Sequence, residues 1–138
     1  MRIELAADIE PCRALRRAVF IEEQGIAEAD EWDGLDDQAI HILAWQEGAP
    51  TGTARILVDG AVGKIGRVCV LRRARGTGLG AALIRASLDV LRARPGVTHA
   101  KLGAQVHAIG FYERLGFSPV GEVYDDAGIP HRDMLREL

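Results

Sequence analysis

The sequence predicts one α/β domain with a mixed β-sheet over residues 1–138. Three observations predict it. Three consecutive β-rich segments in the first half are joined by turn signals, which describes a meander. A long segment with helical apolar spacing then separates two more β-rich segments, and a strand–helix–strand connection within one sheet implies a parallel pair. Finally, 138 residues, 48% hydrophobic and 27% charged, suffice for the core of one domain and fall short of two ordinary ones.

The elements follow in order. Ile3–Leu5 is a short first strand. Asp8 is placed to cap a helix running to about Phe20, with Leu15, Ala18 and Val19 on its buried face. A further helical turn is expected near Ala27–Glu31. Ile40–Trp45 is β-rich, Gly48-Ala49-Pro50 turns the chain, and Thr53–Val58 returns. Asp59-Gly60 signals a hairpin into Lys64–Val70.

The apolar period then changes. Leu79, Leu83, Ala86 and Val90 share helical spacing, with Ile84, Leu88 and Leu91 as a second stripe, so this helix is expected to pack on two sides. Arg94-Pro95-Gly96 ends it. Ala100–Gly103 is a strand, and Ala108–Leu115 a short helix stopped by Gly116. Phe117–Val123 and His131–Leu135 are two closing strands around Asp126-Ala127-Gly128.

Bulk properties exclude several classes. A net charge of −3 and a pI near 5.8 argue against a general nucleic-acid binder. No apolar run approaches the roughly 18 residues that span a bilayer. Met1-Arg2-Ile3-Glu4 lacks the layout of a secretory signal, so a cytoplasmic protein is expected. Two cysteines, Cys12 and Cys69, make neither a disulfide framework nor a zinc site, and four scattered histidines suggest no metal. The charge is unevenly spread. Residues 21–37 hold eight acids and no Lys or Arg, whereas residues 67–75 hold four arginines and no acid. Such a chain could attract a cation at one place and a polyanion at another, unless the acidic stretch is simply a solvated loop.

The strongest local signal is Arg72-Arg73-Ala74-Arg75-Gly76-Thr77-Gly78-Leu79-Gly80, after a strand and opening a helix. Alternating glycines let backbone approach a ligand closely. Free N–H groups of a first helical turn, with the helix dipole, favour phosphate oxygens. The crowded arginines add forked donors, and without an anion their like charge is costly. Gly76-x-Gly78-x-x-Ala81 also fits the dinucleotide fingerprint, but the loop sits mid-chain after a meander and residues 96–103 contain no acid. No Gly-Lys-Ser/Thr follows, which argues against a nucleotide triphosphate loop.

These residues resemble a known family. Val68-Cys69-Val70-Leu71 followed by Arg75-x-x-Gly78-x-Gly80 is similar to the acetyl-CoA motif of the GNAT superfamily of N-acetyltransferases. Ala108-x-x-Phe111-Tyr112-Glu113-Arg114-Leu115-Gly116-Phe117 is similar to that family's second motif, at the expected distance. Val19-Phe20-Ile21-Glu22-Glu23-Gln24-Gly25 and Gly128-Ile129-Pro130-His131-x-x-Met134 resemble the ElaA-like and YjcF-like subgroup. Gly121–Asp125 and Pro130-His131 also show similarity to the glyphosate N-acetyltransferase group.

The resemblance implies a mostly antiparallel sheet of six or seven strands with one splayed parallel pair, flanked by about four helices. It implies acetyl-CoA as co-substrate, an amine of a small molecule or peptide as acceptor, and direct attack in a ternary complex. It places Val68, Cys69, Val70, Arg75, Gly76, Thr77, Gly78, Leu79 and Gly80 at the coenzyme, the Val70 amide on the thioester carbonyl, and Gln105 where relatives carry an Asn. Tyr112 matches the general acid, and a phenol with pKa near 10 suits protonation of a leaving thiolate. An alkylammonium with pKa near 10.4 leaves about a thousandth as free amine at pH 7, so a base is needed, and His131 is the leading candidate. Arg17, His41 and Arg55 are candidate substrate contacts, the arginines suiting an acidic acceptor and residues 22–37 a cationic one. No nucleic-acid or membrane partner is implied, and the protein is expected as a monomer or homodimer. Two rivals stand beside this reading: a non-catalytic acyl-CoA-binding module and a nucleotide-dependent oxidoreductase.

Overall fold

Alternating apolar residues build a seven-stranded sheet in a computed structural model that describes all of residues 1–138. The strands are β1 (Arg2–Leu5), β2 (Ile40–Gln46), β3 (Ala49–Asp59), β4 (Val62–Val70), β5 (His99–Gln105), β6 (Ser118–Asp126) and β7 (Ile129–Glu137). Their order is β1-β2-β3-β4-β5-β7-β6, antiparallel throughout except for β4 beside β5. The helices are α1 (Glu10–Arg16), α2 (Glu28–Glu31), α3 (Leu79–Arg92) and α4 (Ile109–Glu113). The expected mixed sheet with one parallel pair and four helices is therefore the fold.

Each face of the sheet carries its own core. Ile42, Ala54, Ile56 and Ile65 pack on Leu83, Ile84, Leu88 and Leu91 of α3. On the other face Leu43 and Cys69 meet Cys12, Leu15, Val19 and Phe20. Ile42 and Leu43, adjacent on β2, separate to opposite faces as the strand period requires. In α3 the second apolar stripe is buried throughout, whereas the first is less buried than its spacing predicts towards its C-terminal end. Leu79, Leu83, Ile84, Leu88 and Leu91 are buried, while Ala86 and Val90 are only partly covered at the flank.

Several boundaries shift for local reasons. Asp8 accepts the Glu10 amide at 3.0 Å, and the helix starts at Glu10 with Ile9 at its cap position. Beyond Arg16 the helix continues as a wider π-helical stretch, Arg17–Glu23, whose end is closed by the Gln24 amide bonding Val19 O at 3.0 Å. The β2–β3 turn is Glu47-Gly48, both at positive φ, so Ala49 and Pro50 already belong to the strand.

The feature that positions the site lies in β4. Thr53 pairs with Cys69 and Arg55 with Gly66, leaving Arg67 and Val68 opposite the single residue Ala54. Arg67 sits at φ +52° in this bulge. β4 and β5 are paired only from Val62–Lys64 to His99–Lys101. Beyond Lys64, just before the bulge, they separate, and the cleft lies between them.

Candidate active site

Two cavities meet this cleft. The first surrounds the turn from β4 into α3. Gly76 and Gly78 hold φ +78° and +82°, a left-handed conformation that a β-carbon disfavours. Thr77 Oγ1 donates to Ala74 O at 2.6 Å and tightens the turn. The amides of residues 76–81 find no acceptor within the protein, so six N–H groups are left over at the helix mouth. All of these residues but Thr77 border a cavity of about 270 Å³ that Val70, Arg75 and Phe111 also line. A β-carbon at Gly80 would meet only Phe111 Cζ at 3.6 Å, an ordinary contact. Protein packing therefore does not demand glycine at 80, whereas a diphosphate lying against this backbone would. The residues present fit such a group.

The arginines there are not uncompensated, which corrects the sequence argument. Arg75 Nη1 and Nη2 grip Glu23 at 2.7 and 2.8 Å, its Nε donates to Val70 O at 3.0 Å, and Arg72 Nη2 lies 3.4 Å from the same carboxylate. The bonds from Arg75, then those from Arg72, hold the Glu23 carboxyl down at about 2. Arg67 turns away to Glu31 and Asp33, at 3.0 and 3.3 Å. Leu79 is buried in the α3 core, so only its backbone reaches the cavity.

The second cavity, also about 270 Å³, fills the cleft between β4 and β5. The structure brings Val68, Gln105, Tyr112 and His131 together in its lining. Tyr112 packs edge-on against Phe111 and Phe117, with centroids 5.0 and 6.2 Å away. Burial alone pushes its phenol above the usual range, so it stays protonated at neutral pH. His131 Nδ1 lies 2.8 Å from Ile129 O. A carbonyl only accepts, so Nδ1 carries the proton and Nε2 of the neutral ring keeps its lone pair. Gln105 donates to Gln24 Oε1 at 3.3 Å, and its own oxygen is 2.8 Å from His107 Nε2. The Cys69 side chain points to the opposite face, into the α1 core, where burial pushes its thiol up to about 12. Only its backbone is available to the cleft.

Arg17, His41 and Arg55 lie outside this lining. Arg55 is buried and committed to Asp33 at 2.8 Å and Asp36 at 3.1 Å. His41 Nε2 bonds Asp36 O at 2.9 Å. Arg17 pairs with Glu28 and lies over Trp32, 5.6 Å from the ring centroid. The acidic stretch is thus divided: Glu22, Asp30 and Asp37 stay exposed, while its inner carboxylates are taken by arginines. Arg16, Arg55 and Arg67 neutralise Glu31, Asp33 and Asp36, with Arg16 reaching Glu31 and Asp36 at 2.8 Å each. Burial by itself would raise Asp36, but the bonds and charge of Arg16 and Arg55 outweigh it and the carboxyl is lowered. Bonding to Arg55 likewise holds Asp33 well below the usual range.

Sequence reasoning missed further lining residues. Tyr124 stacks on His131, with centroids 6.0 Å apart, and donates to Asp133 at 2.7 Å. Burial and that bond push its phenol up to about 12. A β-carbon at Gly103 would come within 2.5 Å of the Tyr124 hydroxyl, so the missing side chain makes room for it. Phe20, Gln24 and Ile26 form the wall from the α1 side, and Glu31 and Arg67 also border the cavity. Only cross-strand register pairs Tyr124 with His131. The turn at Asp126-Ala127-Gly128 and the resemblance carried by Gly121–Asp125 with Pro130-His131 were the clues available.

No cluster of three His, Cys, Asp or Glu is placed to hold a metal ion, and no helix is long and apolar enough to cross a membrane. Residues 17–138 match the family model described as an acetyltransferase (GNAT) domain. ElaA of Escherichia coli is 39% identical over 128 residues, covering 90% of this chain and 84% of its own. Its crystal structure superposes with a TM-score of 0.85, at 34% identity over 99% of this chain and all of that one (100%). The N-acetyltransferase YjcF of Bacillus subtilis is 33% identical, with 89% and 88% covered. An acyl-CoA N-acyltransferase from Pseudomonas aeruginosa has a TM-score of 0.88 at 32% identity, with 99% of both chains covered. The chain belongs to the GNAT acetyltransferase family, within its ElaA-like and YjcF-like subgroup, and is an N-acetyltransferase.

Proposed function

We propose that the protein transfers the acetyl group of acetyl-CoA to a primary or secondary amine of a small molecule or peptide by direct attack. The observation that carries this reading is the cleft between β4 and β5, which has a protonated phenol and an imidazole with a free Nε2 in one lining. It adjoins six unclaimed amides suited to a diphosphate. The amides of residues 76–81 and Arg75 would hold the diphosphate, and the pantetheine arm would run along the splayed end of β4. There the Val70 amide would polarise the thioester carbonyl.

In the reaction, His131 Nε2 takes a proton from the acceptor ammonium. The amine nitrogen attacks the thioester carbonyl carbon and a C–N bond forms. The tetrahedral intermediate collapses, the C–S bond breaks, the Tyr112 hydroxyl protonates the departing thiolate, and the second proton lost by the attacking nitrogen restores the phenol. The raised phenol keeps this proton available at neutral pH. The similarity to an acyl-CoA N-acyltransferase from Pseudomonas aeruginosa supports the choice of donor.

The test is release of coenzyme A thiol over a panel of amines, amino acids and peptides, followed by Tyr112→Phe with the best acceptor. Loss of a general acid should lower kcat by about 10²–10⁴ while the acetyl-CoA Kd stays near wild type. An undiminished kcat removes Tyr112 from the chemistry. Saturable coenzyme binding with no turnover on any amine would instead favour a non-catalytic acyl-CoA-binding module.

A further inference from the structure

Glu23 links a segment that borders one cavity to an arginine that borders the other. It ends the π-helical stretch after α1, and its carboxylate fills both arms of the Arg75 fork at 2.7 and 2.8 Å, with Arg72 at 3.4 Å. Arg75 lines the glycine cradle beside Gly76, Gly78 and Gly80, and it is the one cationic residue in that lining. A forked guanidinium matches a carboxylate and a phosphate equally well. An anion arriving in the cradle therefore meets a cation already taken by another anion. The segment that ends in Glu23 also supplies Phe20, and the residues just after it supply Gln24 and Ile26, to the wall of the acceptor cavity. Gln24 in turn accepts from Gln105 of β5 at 3.3 Å.

We propose that Glu23 is an internal competitor for the coenzyme diphosphate. Loading the cradle draws Arg75 away from Glu23 and frees residues 17–26, so that the acceptor wall takes its working position only on the loaded enzyme. This inference rests on the acetyl-CoA reading above. It makes Glu23 a positioning residue that touches neither the acetyl group nor the amine. The pair is only part-buried, with Glu23 26% and Arg75 40% exposed, so exchange of partners meets no large desolvation barrier.

Titration calorimetry with coenzyme A on wild type, Glu23→Gln, Arg75→Gln and the double variant tests the competition. Glu23→Gln should bind up to about fivefold tighter, the scale of one part-exposed ion pair. Arg75→Gln should bind more weakly, and adding Glu23→Gln to it should change nothing further. Weaker binding by Glu23→Gln would mean that Glu23 holds Arg75 ready for phosphate, and the proposal would be overturned. An equal gain in the Arg75→Gln background would mean a general field effect, which also overturns it. Hydrogen exchange tests the wall: coenzyme A should speed exchange over residues 17–26 in wild type, and Glu23→Gln should show that faster exchange without ligand. No ligand-dependent change there sinks the coupling. Absence of saturable coenzyme binding in wild type itself would take down the acetyl-CoA reading and this inference together, a result unlike any of the variant differences.

Discussion

Two groups of arginines face carboxylates in this molecule, one beneath α1 and one at the mouth of α3, and burial separates their roles. Beneath α1, Arg16 and Glu31 are 1% and 2% exposed, and Arg16 also reaches Asp36 and lies over Trp32, 5.2 Å from the ring centroid. At the mouth of α3, Arg75 and Arg72 meet Glu23 near solvent. A buried pair must stay whole, because either partner alone is a stranded charge in a poor solvent. A part-exposed pair trades its partner for water or another anion at little cost. The first group is thus architecture, holding residues 28–38 against the sheet. The second is available to a ligand.

This contrast can be broken or sharpened by experiment. The largest effect is expected for Arg16→Ala, which removes the cation shared by Glu31 and Asp36 and leaves them to Arg67 and Arg55 respectively. Removal of one partner of a buried pair costs about 3–5 kcal/mol, a large part of a domain's stability. Urea melts followed by far-UV circular dichroism should show it, and a loss under about 1 kcal/mol would erase the contrast.

A middle-sized effect is expected from acid. Asp33 and Asp36 are lowered in the folded state, so their contribution is present above the unfolded carboxylate pKa near 4 and is lost as pH falls below it. Tm should therefore drop steeply between about pH 5 and 3, and Asp33→Asn should lower the Tm at pH 7 while flattening that acid limb. Parallel limbs for wild type and Asp33→Asn would exclude this carboxylate as a source of the acid sensitivity. The smallest effect belongs to Glu23→Gln, whose Tm at pH 7 should stay near wild type even as its coenzyme affinity changes. A marked loss of stability would place Glu23 with the architectural group instead.

Much of the site was readable from particular residues. Gly76, Gly78 and Gly80 before Leu79 announced a helix mouth open to an anion, because glycine spacing and missing acceptors are local properties of backbone. Tyr112 and His131 were reached through motif resemblance, and both line the cleft. The reading went wrong wherever it depended on side-chain partners distant in sequence. Arg55 and Asp33 are 22 residues apart, and Arg75 and Glu23 are 52. From the chain alone the acidic stretch and the arginine stretch looked like two unpaired fields, and folding sets them against each other. The bulge at Arg67, a positive-φ residue that is not glycine, carried no local signal either.

The amino-acid order by itself determined the strand and helix periods, the meander, the parallel crossover and the glycine mouth of α3, because each rests on backbone preferences and apolar spacing within a few residues. Tertiary structure decided which charges are spent on one another, where β4 leaves β5, and which phenol and imidazole share the cleft. Those outcomes depend on desolvation and on distances across the sheet, quantities that come into existence only when segments far apart in the chain are packed together.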